Sequence, residues 1–218
     1  MLKAVLFDMD GVIVDTEPLH HKAYYKMFND VNIEVSAALY QSFTGQSTLS
    51  ICKQLIEQFK LQLGPQTMMD LKRAHFKYLF EHDESLALID GVLDLIKDYY
   101  NNGLTLVLAS SASMPNISRI FKRFALDQYF VAKLSGADLK ASKPHPEIFI
   151  NAAKASGHTR RECIVIEDST NGIAAAKAAG IYCVGFQSPH SKNQNYTKAD
   201  LVISSFREIE FAKVLKVF

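Results

Sequence analysis

Near its start the chain runs from a short apolar stretch, Ala4–Phe7, straight into acids and a glycine, so that residues 6–15 read LFDMDGVIVD. No other stretch constrains the fold as much. The apolar run is too short for a free helix and shows no polar alternation, which is the pattern of a strand buried on both faces. Gly11 lets the chain turn sharply after it, so that Asp8 and Asp10 can face one place.

Similar runs recur at Leu104–Ala109, Cys163–Ile166, Tyr182–Phe186, Leu201–Ile203 and, more weakly, Val131–Leu134. Helical patterns separate them. Val92, Leu95, Ile96 and Tyr99 recur at helical spacing, with Gly103 as a stop, and the alanine-rich stretch Thr170–Ala179 ends at Gly180. Strand and helix in alternation predict an α/β fold: a parallel sheet with helices on both faces.

From Glu17 to His82 the rhythm changes. Leu19, Ala23, Tyr24, Met27 and Phe28 share one helical stripe, Ile51, Leu55, Ile56 and Phe59 a second, and Leu71, Phe76, Leu79 and Phe80 a third. No strand pattern appears there, and the sheet is expected to resume near Ile89. The expected organisation is therefore a core of residues 1–14 and 87–218, interrupted by an all-helical cap of residues 15–86. The 218 residues are enough for two such units.

Composition limits the partners. Hydrophobic residues make up 48% and charged residues 22%, with a net charge of +1, so nothing draws the chain in bulk to nucleic acid or to a membrane surface. No run reaches the roughly 18 apolar residues of a membrane helix. The N-terminus has no basic segment leading into an apolar one. Cys52, Cys163 and Cys183 are odd in number and lack CxxC spacing, so they read neither as a disulfide frame nor as a zinc site; Cys163 and Cys183 lie in apolar runs and read as buried, which points to a reducing compartment. A cytoplasmic monomer is expected.

In an open parallel sheet, ligands bind beyond the carboxyl ends of the strands. Asp8 and Asp10, Ser110 and Ser111, and Glu167 and Asp168 all follow strands. Lys143 stands in SKPHPEIF, just before a helix begun at Pro146. Clustered carboxylates repel unless a cation joins them, and an all-oxygen set points to Mg²⁺ completed by phosphate oxygens. Lys143 would balance phosphate charge and a serine hydroxyl would bind it. A carboxylate can form an aspartyl-phosphate, and an acid two residues on can move the proton. The plainer readings are Asp8 and Asp10 as turn residues, Ser110 as a helix cap, Lys143 as a surface lysine and Glu167 as a supporting group. Asp15 or Thr16 is expected to cap the helix led by Pro18. His21, His75 and His82 read as surface residues.

Four motifs in order, DMDGV at Asp8–Val12, LVLASSAS, SKPHPEIF and IEDSTNGI, make the chain resemble the haloacid dehalogenase superfamily over essentially its whole length. The subgroup it resembles is that of the β-phosphoglucomutase-like phosphatases. The resemblance implies a Rossmann-like core with a helical cap that closes over a small phosphorylated metabolite. It implies Asp8 as nucleophile and Mg²⁺ ligand, and Asp10 as acid and base with its carbonyl on the metal. Ser110 and Lys143 would hold the phosphoryl group. Asp168, helped directly or through water by Glu167, would complete the metal site. Thr16, His20, Gly45, Ser111 and Asn171 are the candidate substrate contacts.

The mutases of this subgroup carry a cap arginine where this chain has Thr48, and a lysine after the strand-end serine where it has Met114 and Pro115. That favours simple hydrolysis, of a sugar phosphate by expectation, with a β-phosphoglucomutase as the alternative. A phosphonoacetaldehyde hydrolase would need a desolvated cap lysine, and none of Lys53, Lys60, Lys72 and Lys77 reads as one. A dehalogenase would do without Glu167 and Asp168. A non-catalytic binding protein would be expected to have lost part of the Asp8, Asp10, Lys143 and Asp168 set.

Overall fold

The computed structural model describes residues 1–43, 48–137, 139, 141–188 and 193–218. The chain divides into two compact units, Met1–Asp15 with Ala87–Phe218, and Thr16–Leu86.

The first unit is built on six parallel strands: β1 (Ala4–Phe7), β2 (Thr105–Ser110), β3 (Phe130–Ser135), β4 (Cys163–Glu167), β5 (Tyr182–Phe186) and β6 (Leu201–Ile203). Their order across the sheet is β3-β2-β1-β4-β5-β6. The order reverses at β1, which pairs with β2 on one side and β4 on the other. Such a switch point opens a crevice beyond the strand ends.

Alternate residues of each strand serve opposite faces. On one face Ala4, Leu6, Val107, Ala109, Cys163 and Val165 meet Phe149 and Ala152 of α7 (Glu147–Ala155) and Ile173 and Ala176 of α8 (Thr170–Ala178). On the other, the Phe7 ring packs 6.4 Å from Tyr99 of α5 (Val92–Asn101) and 5.7 Å from Phe130. Side chains buried this completely each contribute about 1.5–3 kcal/mol. α6 (Met114–Arg123) packs beside β3, and Gly103 and Gly180 end α5 and α8 with φ of 77° and 70°. The glycine stops therefore act as the sequence implies.

The sheet does not resume near Ile89. There the chain makes only a single antiparallel bridge, Leu88 to Val14, with the Ile89 N–H donating to the Ile13 carbonyl at 3.0 Å. The next strand of the sheet is β2, because α5 must first cover one face.

The second unit contains α1 (Glu17–Asp30), α2 (Ala37–Gln41), α3 (Thr48–Phe59) and α4 (Pro65–His82). α1 and α3 both pack on α4. Its core holds Tyr24, Met27, Phe28, Ile51, Cys52, Leu55 and Met68. Lys22 is tied to Asp83 at 2.6 Å, and Asp83 accepts from the Ser85 N–H at 2.9 Å, fastening the end of α4 to α1.

The structure departs from expectation at three residues of this unit. Thr16 occupies the N-cap position of α1 with a helical backbone (ψ −7°), and its side chain makes no capping hydrogen bond. Lys72 is not solvated: it is only 6% exposed. It shares the α4 stripe of Met68 and Leu79, and its ammonium lies 5.0 Å from the Phe76 ring centroid and 5.1 Å from that of Tyr24. His75 likewise is half-buried and paired with Asp30 at 2.5 Å.

Candidate active site

Asp8 continues the ladder of β1, its N–H donating to the Ile166 carbonyl at 3.0 Å. Met9 turns inward, is 1% exposed, and its carbonyl accepts from the N–H groups of Val12, Ile13 and Val14. The turn is completed by Gly11 at φ 84°. This glycine is required twice: only glycine takes that φ without strain, and a Cβ there would overlap the Asp168 carboxylate. The loop of Asp8 and Asp10 is thereby held against the end of β4.

Lys143 crosses to the same place. Its ammonium donates to Asp8 Oδ1 at 2.5 Å, Glu167 Oε1 at 2.7 Å and the Ala109 carbonyl at 3.1 Å, over the Phe149 ring. Three donors thus meet three acceptors from β1, β4 and β2. All three side chains are buried, so this is not a surface lysine. Burial alone would lower the Lys143 pKa, but Asp8 and Glu167 together raise it, so the ammonium keeps its charge. Burial raises the Asp8 pKa; Lys143 opposes this, while Glu167, Asp168 and Asp10 add to the rise.

Glu167 is 1% exposed. Its Oε2 accepts from the Ser169 N–H at 2.8 Å and the Ser169 hydroxyl at 2.9 Å. Ser169 Oγ in turn accepts from the Gly172 N–H at 3.0 Å, capping α8. A Cβ at Gly172 would overlap the Glu167 carboxylate. The described bonds of Glu167 thus run to Lys143 and to the helix cap.

Ser110 ends β2 and is fully buried. Its Oγ accepts from the Ala112 N–H at 3.0 Å, and its carbonyl accepts from the Gly136 N–H at 2.7 Å. The first bond uses a lone pair, leaving the O–H proton as a donor. Ser113, not Ser110, occupies the N-cap position of α6, and its side chain makes no capping hydrogen bond.

Asp8, Lys143, Glu167, Asp168 and the β2 end carrying Ser110 are brought together, with Asp10 near enough to act on Asp8. Ser111 and Asn171 are exposed on loop and helix. Thr16 is 3% exposed at the start of α1. His20, on α1, accepts through Nδ1 from Lys72 at 2.7 Å and stacks on Phe76 at 4.2 Å. Burial first, and then the Lys72 charge, lower its pKa to about 3, so it is neutral. Gly45 lies outside the described residues.

The donor set fits a hard divalent cation. Four carboxylates, those of Asp8, Asp10, Glu167 and Asp168, act on one another, balanced at this edge by one buried ammonium among the described residues. Their oxygens suit Mg²⁺ better than zinc. Among the described residues no three acidic, histidine or cysteine side chains enclose an ion by themselves. The set implied by resemblance is Asp8, the backbone carbonyl of Asp10, and Asp168 helped directly or through water by Glu167. No described helix is long and apolar enough to cross a membrane.

The family model described as haloacid dehalogenase-like hydrolase matches residues 5–186. Hexitol phosphatase B of Escherichia coli (strain K12) is 27% identical, over 94% of this chain and 93% of its own. The β-phosphoglucomutase of Bacillus subtilis (strain 168) is 29% identical, over 93% and 89%. The crystal structure of CbbY from Rhodobacter sphaeroides in complex with phosphate superposes with a TM-score of 0.80 at 26% identity, covering 98% of this chain and 99% of that one.

Proposed function

The chain belongs to the haloacid dehalogenase-like hydrolases and is a phosphoric monoester hydrolase of their β-phosphoglucomutase-like group, and on that premise we propose that it is a Mg²⁺-dependent sugar phosphatase working through an aspartyl-phosphate. The observation that carries the reading is the Lys143 ammonium held between Asp8 and Glu167 at the switch point of the sheet.

In this reading Asp8 attacks phosphorus in line, forming the Asp8–phosphorus bond as the ester bond breaks. Asp10 gives its proton to the leaving alcohol. Asp10 then takes a proton from water, which attacks phosphorus and releases Asp8 and inorganic phosphate. Lys143 offsets charge on the phosphoryl oxygens, and the Ser110 hydroxyl donates to one of them. Asp8, Asp168 and the Asp10 carbonyl would hold the cation, with Glu167 fixing Lys143 and the α8 cap beside it. Mg²⁺, when bound, supplies positive charge against the phosphate and brings it to the acids. Thr16, His20, Gly45, Ser111 and Asn171 are the proposed substrate contacts. The buried thiols suit a cytoplasmic enzyme, which we take to act as a monomer.

The mutase reading rests on the similarity to the Bacillus subtilis enzyme. Against it, Thr48 replaces the expected arginine and its hydroxyl faces the Tyr24 phenol at 3.4 Å. Phosphate release from a panel of sugar phosphates, nucleotides and pyrophosphate, with and without Mg²⁺, tests the proposal. Mg²⁺-dependent release from one or a few sugar phosphates is expected. Conversion of β-glucose 1-phosphate to glucose 6-phosphate, primed by the 1,6-bisphosphate and without net phosphate release, would establish the mutase instead.

A further inference from the structure

Outside the four motifs, one side chain is bonded to the turn that carries Ser110. β3 is the edge strand beside β2, and Ser135 is the register partner of Ser110 where the two strands end. Ser135 Oγ donates to the Ala112 carbonyl at 2.8 Å and accepts from the Ala137 N–H at 3.2 Å. The proton and one lone pair of this hydroxyl are therefore both engaged.

Ala112 is the residue through which Ser135 reaches the site. Its N–H donates to Ser110 Oγ at 3.0 Å, while its carbonyl is held by Ser135. Two further bonds grip the same turn: the Ala109 carbonyl accepts from the Lys143 ammonium at 3.1 Å, and the Ser110 carbonyl from the Gly136 N–H at 2.7 Å. A Cβ on Gly136 would stand 3.3 Å from the Ser110 carbonyl oxygen and from the Ser111 Cα, so the turns after β2 and β3 lie in close contact. Lys143 and Gly136 thus fix the strand end as far as Ser110. Ala112 lies beyond it, between the end of β2 and the start of α6. Its peptide groups belong to neither element, so bonds such as that from Ser135 set their direction.

We infer that Ser135 is a positioning residue for the phosphoryl group: by holding Ala112 it fixes the Ser110 side chain, so that the Ser110 proton is kept for a phosphoryl oxygen. The inference rests on the reading of Ser110 given above. Without the Ser135 hydroxyl, Ala112 would be free to turn and its N–H to leave Ser110 Oγ. Ser110 would then exchange among its staggered rotamers, and part of the phosphate's binding would be spent on fixing it again.

The test is titration of the full chain with inorganic phosphate in the presence of Mg²⁺, read by isothermal titration calorimetry. The proteins compared are wild type, Ser135→Ala, Ser135→Thr, Ser110→Ala and the variant carrying both alanines. Ser110→Ala is expected to raise the phosphate dissociation constant about tenfold, as loss of a hydrogen bond to a charged group does, and Ser135→Ala about fivefold. Because Ser135 acts through Ser110, the double variant should bind phosphate no more weakly than Ser110→Ala alone, the non-additivity of coupled residues. Ser135→Thr keeps the hydroxyl and should bind phosphate as wild type does. Ser135 is half-buried, so its variants should melt within a few degrees of wild type. Unchanged phosphate affinity in Ser135→Ala, a further fivefold loss in the double variant, no rescue by threonine, or an alanine variant that does not fold would overturn the inference alone. Wild-type affinity in Ser110→Ala, or a wild-type chain that binds no phosphate, would overturn the reading of Ser110 and this inference with it.

Discussion

The Lys143 ammonium lies 2.5 Å from Asp8 Oδ1 across a separation of 135 residues. The parallel sheet closes that distance: β1 places Asp8 at its end, and the segment leading to α7 brings Lys143 back over the same edge. Because both side chains are largely withdrawn from solvent, each depends on the other and on Glu167 for its charge.

Replacing Asp8 by Asn is expected to lower phosphate release at least about 1,000-fold, as loss of a nucleophile does. The circular dichroism spectrum should not change. Activity near wild type in Asp8→Asn would remove Asp8 from the nucleophile's role.

Lys143→Met leaves the Asp8 and Glu167 carboxylates buried side by side without their cation. A buried pair broken in this way costs about 3–5 kcal/mol. Urea denaturation measures it, and a loss below about 1 kcal/mol would mean the pair is looser than its geometry.

Gly172→Ala drives a methyl into the Glu167 carboxylate. Overpacking of this kind costs about 1–3 kcal/mol. Gly64→Ala is the control, since nothing lies within 4 Å of its Cβ position; that change should stay within about 0.5 kcal/mol. Equal stability of the two variants would show that Glu167 can move aside freely.

Lys72 gives the chain a pH dependence of its own. Burial chiefly lowers its pKa to about 8, with Glu17 and Cys52 opposing and Arg73 adding to the fall, while neighbouring His20 stays neutral. Between about pH 8 and the usual lysine value the unfolded chain binds more protons than the folded one, so this group adds stability as pH rises. Below pH 8 the full cost of burying the charge remains, about 3 kcal/mol over the whole shift. Lys72→Met removes that cost. Its stability relative to wild type, from urea denaturation at several pH values, should therefore fall as pH rises from 8 to 10.5. Parallel curves would show that Lys72 titrates normally.

The strands were legible because two-sided burial leaves an unmistakable apolar run. β1, β5 and β6 begin and end where those runs do, and β4 extends one residue further, to Glu167. The acids and Lys143 were legible as residues at strand ends or before a helix. What stayed hidden depends on neighbours far along the chain. Lys72 looks like a solvated face in DLKRAHF until α1 lays His20 and Tyr24 against it. Its spacing of four from both Met68 and Phe76 was the available signal. Ser169 and Thr170 sit inside a recognised motif, yet their work in holding Glu167 and Gln194 is set by hydrogen bonds that no pattern announces.

The single bridge between Val14 and Leu88 has one more consequence. The helical unit leaves and re-enters the sheet unit at two chain positions that are already antiparallel neighbours. A gene lacking the intervening codons could be closed with a two-residue hairpin turn, since that geometry is what such turns span. The sheet unit would keep both ends of its own backbone in register, so excision is a practical route to a minimal scaffold carrying Asp8, Lys143 and Asp168 alone.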